Sequence, residues 1–132
     1  MTKKKATLEA VQDVQPVATV GLKKIVSFGY KYAPPPKDAG GIVVDVRQMF
    51  RNPYANRSLR HKTGFDQSVQ DEIKKTPAFR TKVRALKALM KSPGISAGYI
   101  GCVGGKHRSV FLAELLGSEL GVPVEHRDVH RP

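Results

Sequence analysis

Apolar positions along the chain fall into short continuous runs and one clear helical repeat, separated by glycines and prolines. Residues 23–28, Lys-Lys-Ile-Val-Ser-Phe, have the β-branched and aromatic content of a strand closed by Gly29. Tyr30 to Pro36 must then be loop, because three consecutive prolines remove three backbone donors and hold the chain extended. After Gly40-Gly41, the run Ile42-Val43-Val44-Asp45-Val46 reads as a strand covered on both faces, with Asp45 at its carboxyl end. Residues 47–64 show little period and carry the turn signals Asn52-Pro53-Tyr54 and Thr63-Gly64, so a long loop with at most a short helix is expected. Long irregular segments within compact domains are often functional.

The second half is more regular. Phe65 to Lys75 reads as a helix with Asp66 as N-cap and Val69 and Ile73 on one face. Pro77 suits the first turn of a second helix, in which Phe79, Val83, Leu86 and Met90 repeat at i, i+4, i+7 and i+11. Arg80, Arg84, Lys87 and Lys91 follow the same spacing one residue later, so a basic stripe runs beside the apolar one. Ser92-Pro93-Gly94 ends that helix, residues 97–102 form a third strand, and His107 to Leu120 resumes a helical pattern with Gly121 as its C′ residue. Val122 to His126 is a last short strand, with Pro123 tolerable only at its start or on an edge. This order predicts an α/β fold, a single layered domain over residues 23–132 with a mostly parallel four-stranded sheet. Residues 1–22 contain Lys3-Lys4-Lys5 but no sustained period and read as a flexible basic arm.

Composition adds a strong positive field to that picture. The 132 residues include 23 Lys and Arg against 11 Asp and Glu, a formal charge of +12. Such a surplus attracts polyanions and leaves nucleic acid, an acidic protein or a phosphorylated small molecule as partners. No apolar run is long enough to span a bilayer and no leader-like apolar segment follows Met1, so no membrane association and a cytoplasmic location are expected. The single cysteine, Cys102, has no disulfide partner, and no His or Cys cluster has metal-ligand spacing, so neither a metal nor a cofactor is expected.

The candidate chemistry centres on Gly101-Cys102-Val103-Gly104-Gly105-Lys106-His107-Arg108-Ser109, between a strand and a helix. Glycines let backbone N–H groups converge on an anion, the helix start offers unpaired donors and positive dipole, and three cationic side chains oppose that dipole unless an anion is present. Asp45 and the loop after it, at the carboxyl end of the neighbouring strand, would face the same crevice. A nucleoside-triphosphate P-loop is excluded, since Ile100 stands where its first Gly belongs and His107 replaces its hydroxyl residue. Cys102-x-x-Gly105-x-x-Arg108-Ser109 is similar to the tyrosine-phosphatase signature, in which a thiolate attacks phosphorus and Arg grips the oxygens. A small cysteine-dependent phosphatase, with Cys102 as nucleophile, Arg108 as clamp and Asp45 or Asp66 as general acid, is therefore the alternative to a nonenzymatic module. A buried strand-end cysteine acting as a small hydrophobe explains Cys102 equally well.

The segments Ser27-Phe28-Gly29-Tyr30-Lys31, Asp45-Val46-Arg47, Asn52-Pro53-Tyr54, Leu59 to Asp66, Gly101 to Ser109 and His126-Arg127-Asp128 resemble, in order and spacing, the C-terminal domain of the RNase adapter protein RapZ. The likeness covers residues 23–128, and the chain looks like a standalone version without the P-loop domain that precedes it in that family. The resemblance implies a fold like a sugar-phosphate-binding subdomain of phosphofructokinase, RNA binding that presents a regulatory RNA to a ribonuclease, oligomer formation, and sensing of glucosamine-6-phosphate. It implies a phosphosugar pocket lined by Asp45, Gly104, Gly105, His107 and Arg108, with Cys102, Lys106 and Ser109 completing the turn. Tyr54 stands where the family often has His, and Val103 where it usually has Thr, which removes a hydroxyl from the pocket.

The remaining cations give a second expected surface. No acid lies between Val46 and Phe65, whereas Arg47, Arg51, Arg57, Arg60 and Lys62 do, interleaved with Phe50 and Tyr54, a mixture suited to single-stranded RNA. The stripe Arg80, Arg84, Lys87, Lys91 lies in sequence free of acids from Ile73 through Ala113 and is either a second RNA face or a solvated one. The family often ends in further Lys and Arg, and Arg127 and Arg131 are the corresponding RNA candidates here.

Overall fold

The computed structural model describes residues 21–132, so the arm expected over residues 1–22 lies almost wholly outside the described residues. Four strands, β1 (Lys24–Gly29), β2 (Gly41–Asp45), β3 (Ala97–Cys102) and β4 (Val124–His126), form one sheet in the order β2-β3-β1-β4. Every pairing is parallel, with Ile25 opposite Gly98 and Val124, and Ile42 opposite Gly98. The helices are α1 (Gln67–Lys74), α2 (Phe79–Met90) and α3 (Arg108–Leu120).

Strand alternation sorts the core into two layers. Ile25, Val44, Ile100 and Cys102 join Val69 and Ile73 of α1, Phe79, Val83, Leu86 and Met90 of α2, and Phe111, Leu112 and Leu116 of α3. On the opposite face Val26, Phe28, Ala97 and Tyr99 form a smaller cluster with Tyr30. Tyr99 donates its hydroxyl hydrogen to Asp38, and the Arg127 guanidinium lies 5.2 Å from the Phe28 ring centroid. Burial of Phe79, Val83, Leu86 and Met90 accounts for the helical repeat in the sequence.

Three local expectations are corrected. β2 is an edge strand, so Val43 is 41% exposed and Asp45 faces solvent, and only one face of the expected doubly covered strand is buried. Asp66 is the N-cap residue of α1 as expected, but its side chain makes no capping bond and instead accepts the Thr63 N–H at 2.7 Å. Pro77 lies ahead of α2, not in its first turn, because Ala78 takes a left-handed conformation (φ 59°) before the helix starts. Gly121 does close α3 in the left-handed region at φ 72°.

A buried carboxylate holds the C-terminal segment to the carboxyl edge of the sheet. Asp128 accepts the Gly29 N–H at 2.7 Å, Arg127 Nε at 3.0 Å and Arg131 Nε at 2.7 Å. Burial alone would raise the pKa of Asp128, but these bonds outweigh it and hold the carboxyl below its ordinary range. A folded-state pKa below the unfolded one contributes stability in full above the unfolded value near 4, and loses it as pH falls through the folded value. Asp128→Asn should therefore cost about 3 kcal/mol at pH 7 and flatten the fall in melting temperature below about pH 4, as measured by thermal denaturation across pH. β4 is pinned separately, since His126 Nδ1 meets Ser27 Oγ at 2.6 Å and its Nε2 meets Glu114 Oε2 at 2.7 Å. No helix among the described residues is long and apolar enough to cross a membrane.

Candidate anion-binding site

Parallel pairing brings the carboxyl ends of β1, β2 and β3 side by side, so the loops that follow them meet at one edge. The turn after β3 is fixed by its neighbours: Tyr30 N–H donates to the Cys102 carbonyl at 2.9 Å, Lys31 N–H to Val103 at 3.1 Å, and Gly64 N–H to Lys106 at 2.8 Å. Gly105 takes φ 69°, and a Cβ there would stand 2.7 Å from the Gly29 nitrogen, so the turn can approach β1 this closely only as glycine. The loop after β2 is shaped by two asparagines, whose side chains accept the N–H groups of Tyr54 and Ser58 at the starts of short 3-10 turns at Pro53–Ala55 and Arg57–Leu59.

Between these loops lies a cavity of about 530 Å³, lined by Lys31, Tyr32, Asn52, Tyr54, Arg60, His61, Cys102, Val103, Gly104, Lys106, His107, Arg108 and Pro132. A more open depression beside it, of about 660 Å³, contains Asp45, Arg47, Gln48 and Phe50 and shares Asn52, Val103 and Arg108 with the first. The structure thus gathers Asp45, Tyr54 and most of the glycine turn around one crevice. Gly105 and Ser109 line neither cavity: Gly105 packs against Gly29 and Asp128, and Ser109 lies beneath the turn. Lys31, Tyr32, Asn52, His61 and Pro132 were not expected at the site; most follow a strand's carboxyl end, and Lys31, Asn52 and His61 lie in the segments that carry the family resemblance.

The floor holds a buried imidazole and a buried guanidinium, each with one unpartnered nitrogen. His107 and Arg108 are 7% and 4% exposed, and His107 Nε2 and Arg108 Nε have no hydrogen-bond partner. Arg108 Nη1 donates to the Arg47 carbonyl at 2.7 Å, which orients the guanidinium without neutralising it. Burial pushes the pKa values of both side chains down, against opposing pulls from the Leu59 and Lys62 carbonyls on His107 and from Cys102 and Asp45 on Arg108. No side chain caps the start of α3, so its first-turn donors add to the same positive end. Arg108 Nε is necessarily a donor, and a buried donor left without an acceptor costs about 1–3 kcal/mol, a cost that a bound oxyanion would remove. Among the described residues no cluster of three His, Cys, Asp or Glu stands together.

The model of the RapZ C-terminal domain matches residues 22–130 of this chain. The chain belongs to the RapZ C-terminal family. Relatives of this RapZ-type chain include proteins named nucleotide-binding protein from Moorella thermoacetica, Thermus thermophilus and Heliobacterium modesticaldum. They are 42%, 38% and 37% identical over 81%, 83% and 81% of the chain. The chain spans only 39–44% of the length of these three relatives.

Within this RapZ C-terminal domain the phosphatase chemistry is not favoured. Cys102 is 2% exposed and lies 3.1 Å from Ser109 Oγ, a contact that matches the signature but also suits a buried thiol. Asp45 is gripped by Arg47 through bonds of 3.0, 3.1 and 2.7 Å, and Arg47 holds its carboxyl below the usual range, the opposite of what a general acid at neutral pH requires. Asp66 is committed to Thr63.

The cations expected to meet RNA divide by their partners. Arg51 pairs with Glu72 at 2.7 Å, Arg80 and Lys87 share Glu119 at 3.3 and 3.1 Å, and Arg127 and Arg131 clasp Asp128. Arg127 is further spent on the carbonyls of Gly29, Ala33 and Pro34. Among the described residues no acid pairs with Arg57, Arg60, Lys62, Arg84 or Lys91. Three of these five, Arg57, Arg60 and Lys62, lie on the loop after β2, where Arg60 also lines the cavity.

Proposed function

We propose that this chain is a nonenzymatic adapter module of the cytoplasm that binds RNA, senses a phosphorylated metabolite of the glucosamine-6-phosphate type, and presents the RNA to a ribonuclease as a homo-oligomer. The observation that carries the reading is the pair of buried, unpartnered nitrogens, His107 Nε2 and Arg108 Nε, at the floor of a cationic cavity. Family membership supports the adapter role, and the relatives' name, nucleotide-binding protein, supports a phosphate-bearing ligand. The bidentate Asp45–Arg47 pair at the rim supplies an acceptor beside the phosphate donors, which suits the amine or hydroxyls of an aminosugar.

RNA binding is tested by its salt dependence. Each phosphate contact on a single strand contributes about 0.7 to the slope of log affinity against log salt. Replacing Arg57, Arg60 and Lys62 together by alanine should lower that slope by about 2 and weaken binding of a single-stranded RNA at least about tenfold, read by filter binding from about 50 to 200 mM salt. Replacing Arg80 and Lys87, already engaged by Glu119, should change it less. Equal slopes for wild type and the loop triple variant would remove that loop from the RNA surface.

A further inference from the structure

We infer that two copies of this chain join through the outer edge of β2, pairing the strand Gly41–Asp45 antiparallel with itself about a two-fold axis at Val43. The inference rests on the homo-oligomer reading above and names the surface that makes it.

The two edges of the sheet are unlike. β4 is three residues long, follows Pro123, and carries Glu125, which pairs with Lys24 at 3.8 Å. A short strand, a proline and exposed charge are devices by which natural sheets blunt an edge. β2, at the opposite edge, is built otherwise. Gly41-Ile42-Val43-Val44-Asp45 holds consecutive β-branched residues, no lysine and no proline, and Val43 stands 41% exposed at its centre. Its one charge, Asp45, is neutralised by Arg47 at 2.7 Å.

The main chain on that edge is self-complementary. Val46 N–H donates to the Gly101 carbonyl at 2.9 Å, so Ile42, Val44 and Val46 turn their peptide groups toward β3 and, by alternation, Gly41, Val43 and Asp45 turn theirs outward. The Gly41 N–H is taken by the Asp38 carbonyl at 3.0 Å. Among the described residues this leaves outward N–H groups at Val43 and Asp45 and outward carbonyls at Gly41 and Val43. Under a two-fold axis Val43 exchanges both its bonds with the partner's Val43, and the Asp45 N–H of each copy meets the Gly41 carbonyl of the other. Side chains follow the same register. Val43 packs on the partner's Val43, Ile42 faces the partner's Val44, and each Asp45 lies opposite a glycine, so no like charges meet. The pairing joins two four-stranded sheets into one and leaves a glycine turn open at either end.

Light scattering of the full chain from about 5 to 500 µM, with hydrogen exchange of backbone amides at both ends of that range, tests this. Wild type is expected to reach twice the mass of Val43→Lys at the upper concentration, with the Val43 and Asp45 amides exchanging at least about tenfold more slowly there than in dilute protein. Val43→Lys sets a lysine opposite its own copy and should stay monomeric, whereas Val43→Ile should assemble as wild type does. Should Val43→Lys fail to fold, Val43→Pro removes an outward N–H, leaves the bonds to β3 in place, and should be monomeric. Each copy carries a formal charge of +12 while the edge is locally neutral, so raising salt from about 50 to 200 mM should strengthen assembly, the opposite of its effect on RNA binding. Oligomers whose Val43 and Asp45 amides exchange freely, or that survive Val43→Lys unchanged, would overturn the inference and leave the homo-oligomer reading standing. Slow exchange of those amides independent of concentration would put another strand on the edge and overturn it too. A monomer at every concentration would overturn both.

Discussion

Arg108→Ala is expected to weaken binding of glucosamine-6-phosphate by at least about 100-fold, the largest single effect on ligand affinity in this domain. A charged donor that meets its partner out of contact with water is worth about 2–5 kcal/mol, more than any rim lysine can supply. Arg108 meets those conditions: it is 4% exposed, held by the Arg47 carbonyl, and has a free Nε at the cavity floor. The melting temperature should change much less than the affinity, because the empty protein bears the cost of burying a charge that Asp45 attracts only from beyond ion-pair contact. Arg108→Lys should recover only part of the binding, since an ammonium cannot present the planar fork of donors. Calorimetry with a thermal melt on each variant separates the two effects. Near-native affinity in a folded Arg108→Ala protein would remove Arg108 from the site.

Gly29→Ala is expected to cost about 3 kcal/mol or more of stability. A Cβ on Gly29 would lie 2.5 Å from the Gly104 carbonyl carbon, 2.6 Å from the Gly105 nitrogen and 2.8 Å from the Gly104 oxygen. All three are backbone atoms of the glycine turn, so relief requires moving the turn itself, and overpacking against a fixed backbone is among the more destructive substitutions. The turn would then lose its register with β1, where the Tyr30 and Lys31 N–H groups fasten it, and ligand binding should fall with stability. Gly104→Ala is the matched control: its Cβ meets nothing within 4 Å, so stability should stay within about 0.5 kcal/mol. Denaturant melts of the two variants check the contrast.

What the sequence made legible follows from range. The apolar stripe of α2, the bounds of β3 and the left-handed Gly121 depend on neighbours within a few residues, and each stands where periodicity and turn chemistry predict. The coverage of β2 does not: Ile42 to Val46 reads as doubly buried, yet strand order places it at the sheet's edge and bares Val43. Asp66 has a helix start on one side and the Thr63 N–H on the other, and only the folded loop shows which one its carboxylate takes.

The site divides in the same way. His107, Arg108, Lys106 and Gly104 were legible because strand, glycine turn and helix are contiguous in sequence. Gly105 belongs to the same motif, but its requirement for glycine comes from Gly29 and Asp128, which are distant in sequence. Arg127 looked like a cation available to RNA, and folding spends it on Asp128 and three carbonyls. Tyr32 and His61 reach the cavity only because parallel strands align the loops that carry them.

The anion site itself is tested most directly by titrating the uniformly 15N-labelled protein with glucosamine-6-phosphate, and with glucosamine as control, while following backbone amides and the Arg108 Nε–H signal by NMR. Saturable shifts at Gly104 to Ser109 and at Arg108 Nε–H, produced by the phosphorylated sugar alone, are the predicted result. Unmoved signals at those positions at high ligand concentration, or equal shifts with glucosamine, would contradict the account.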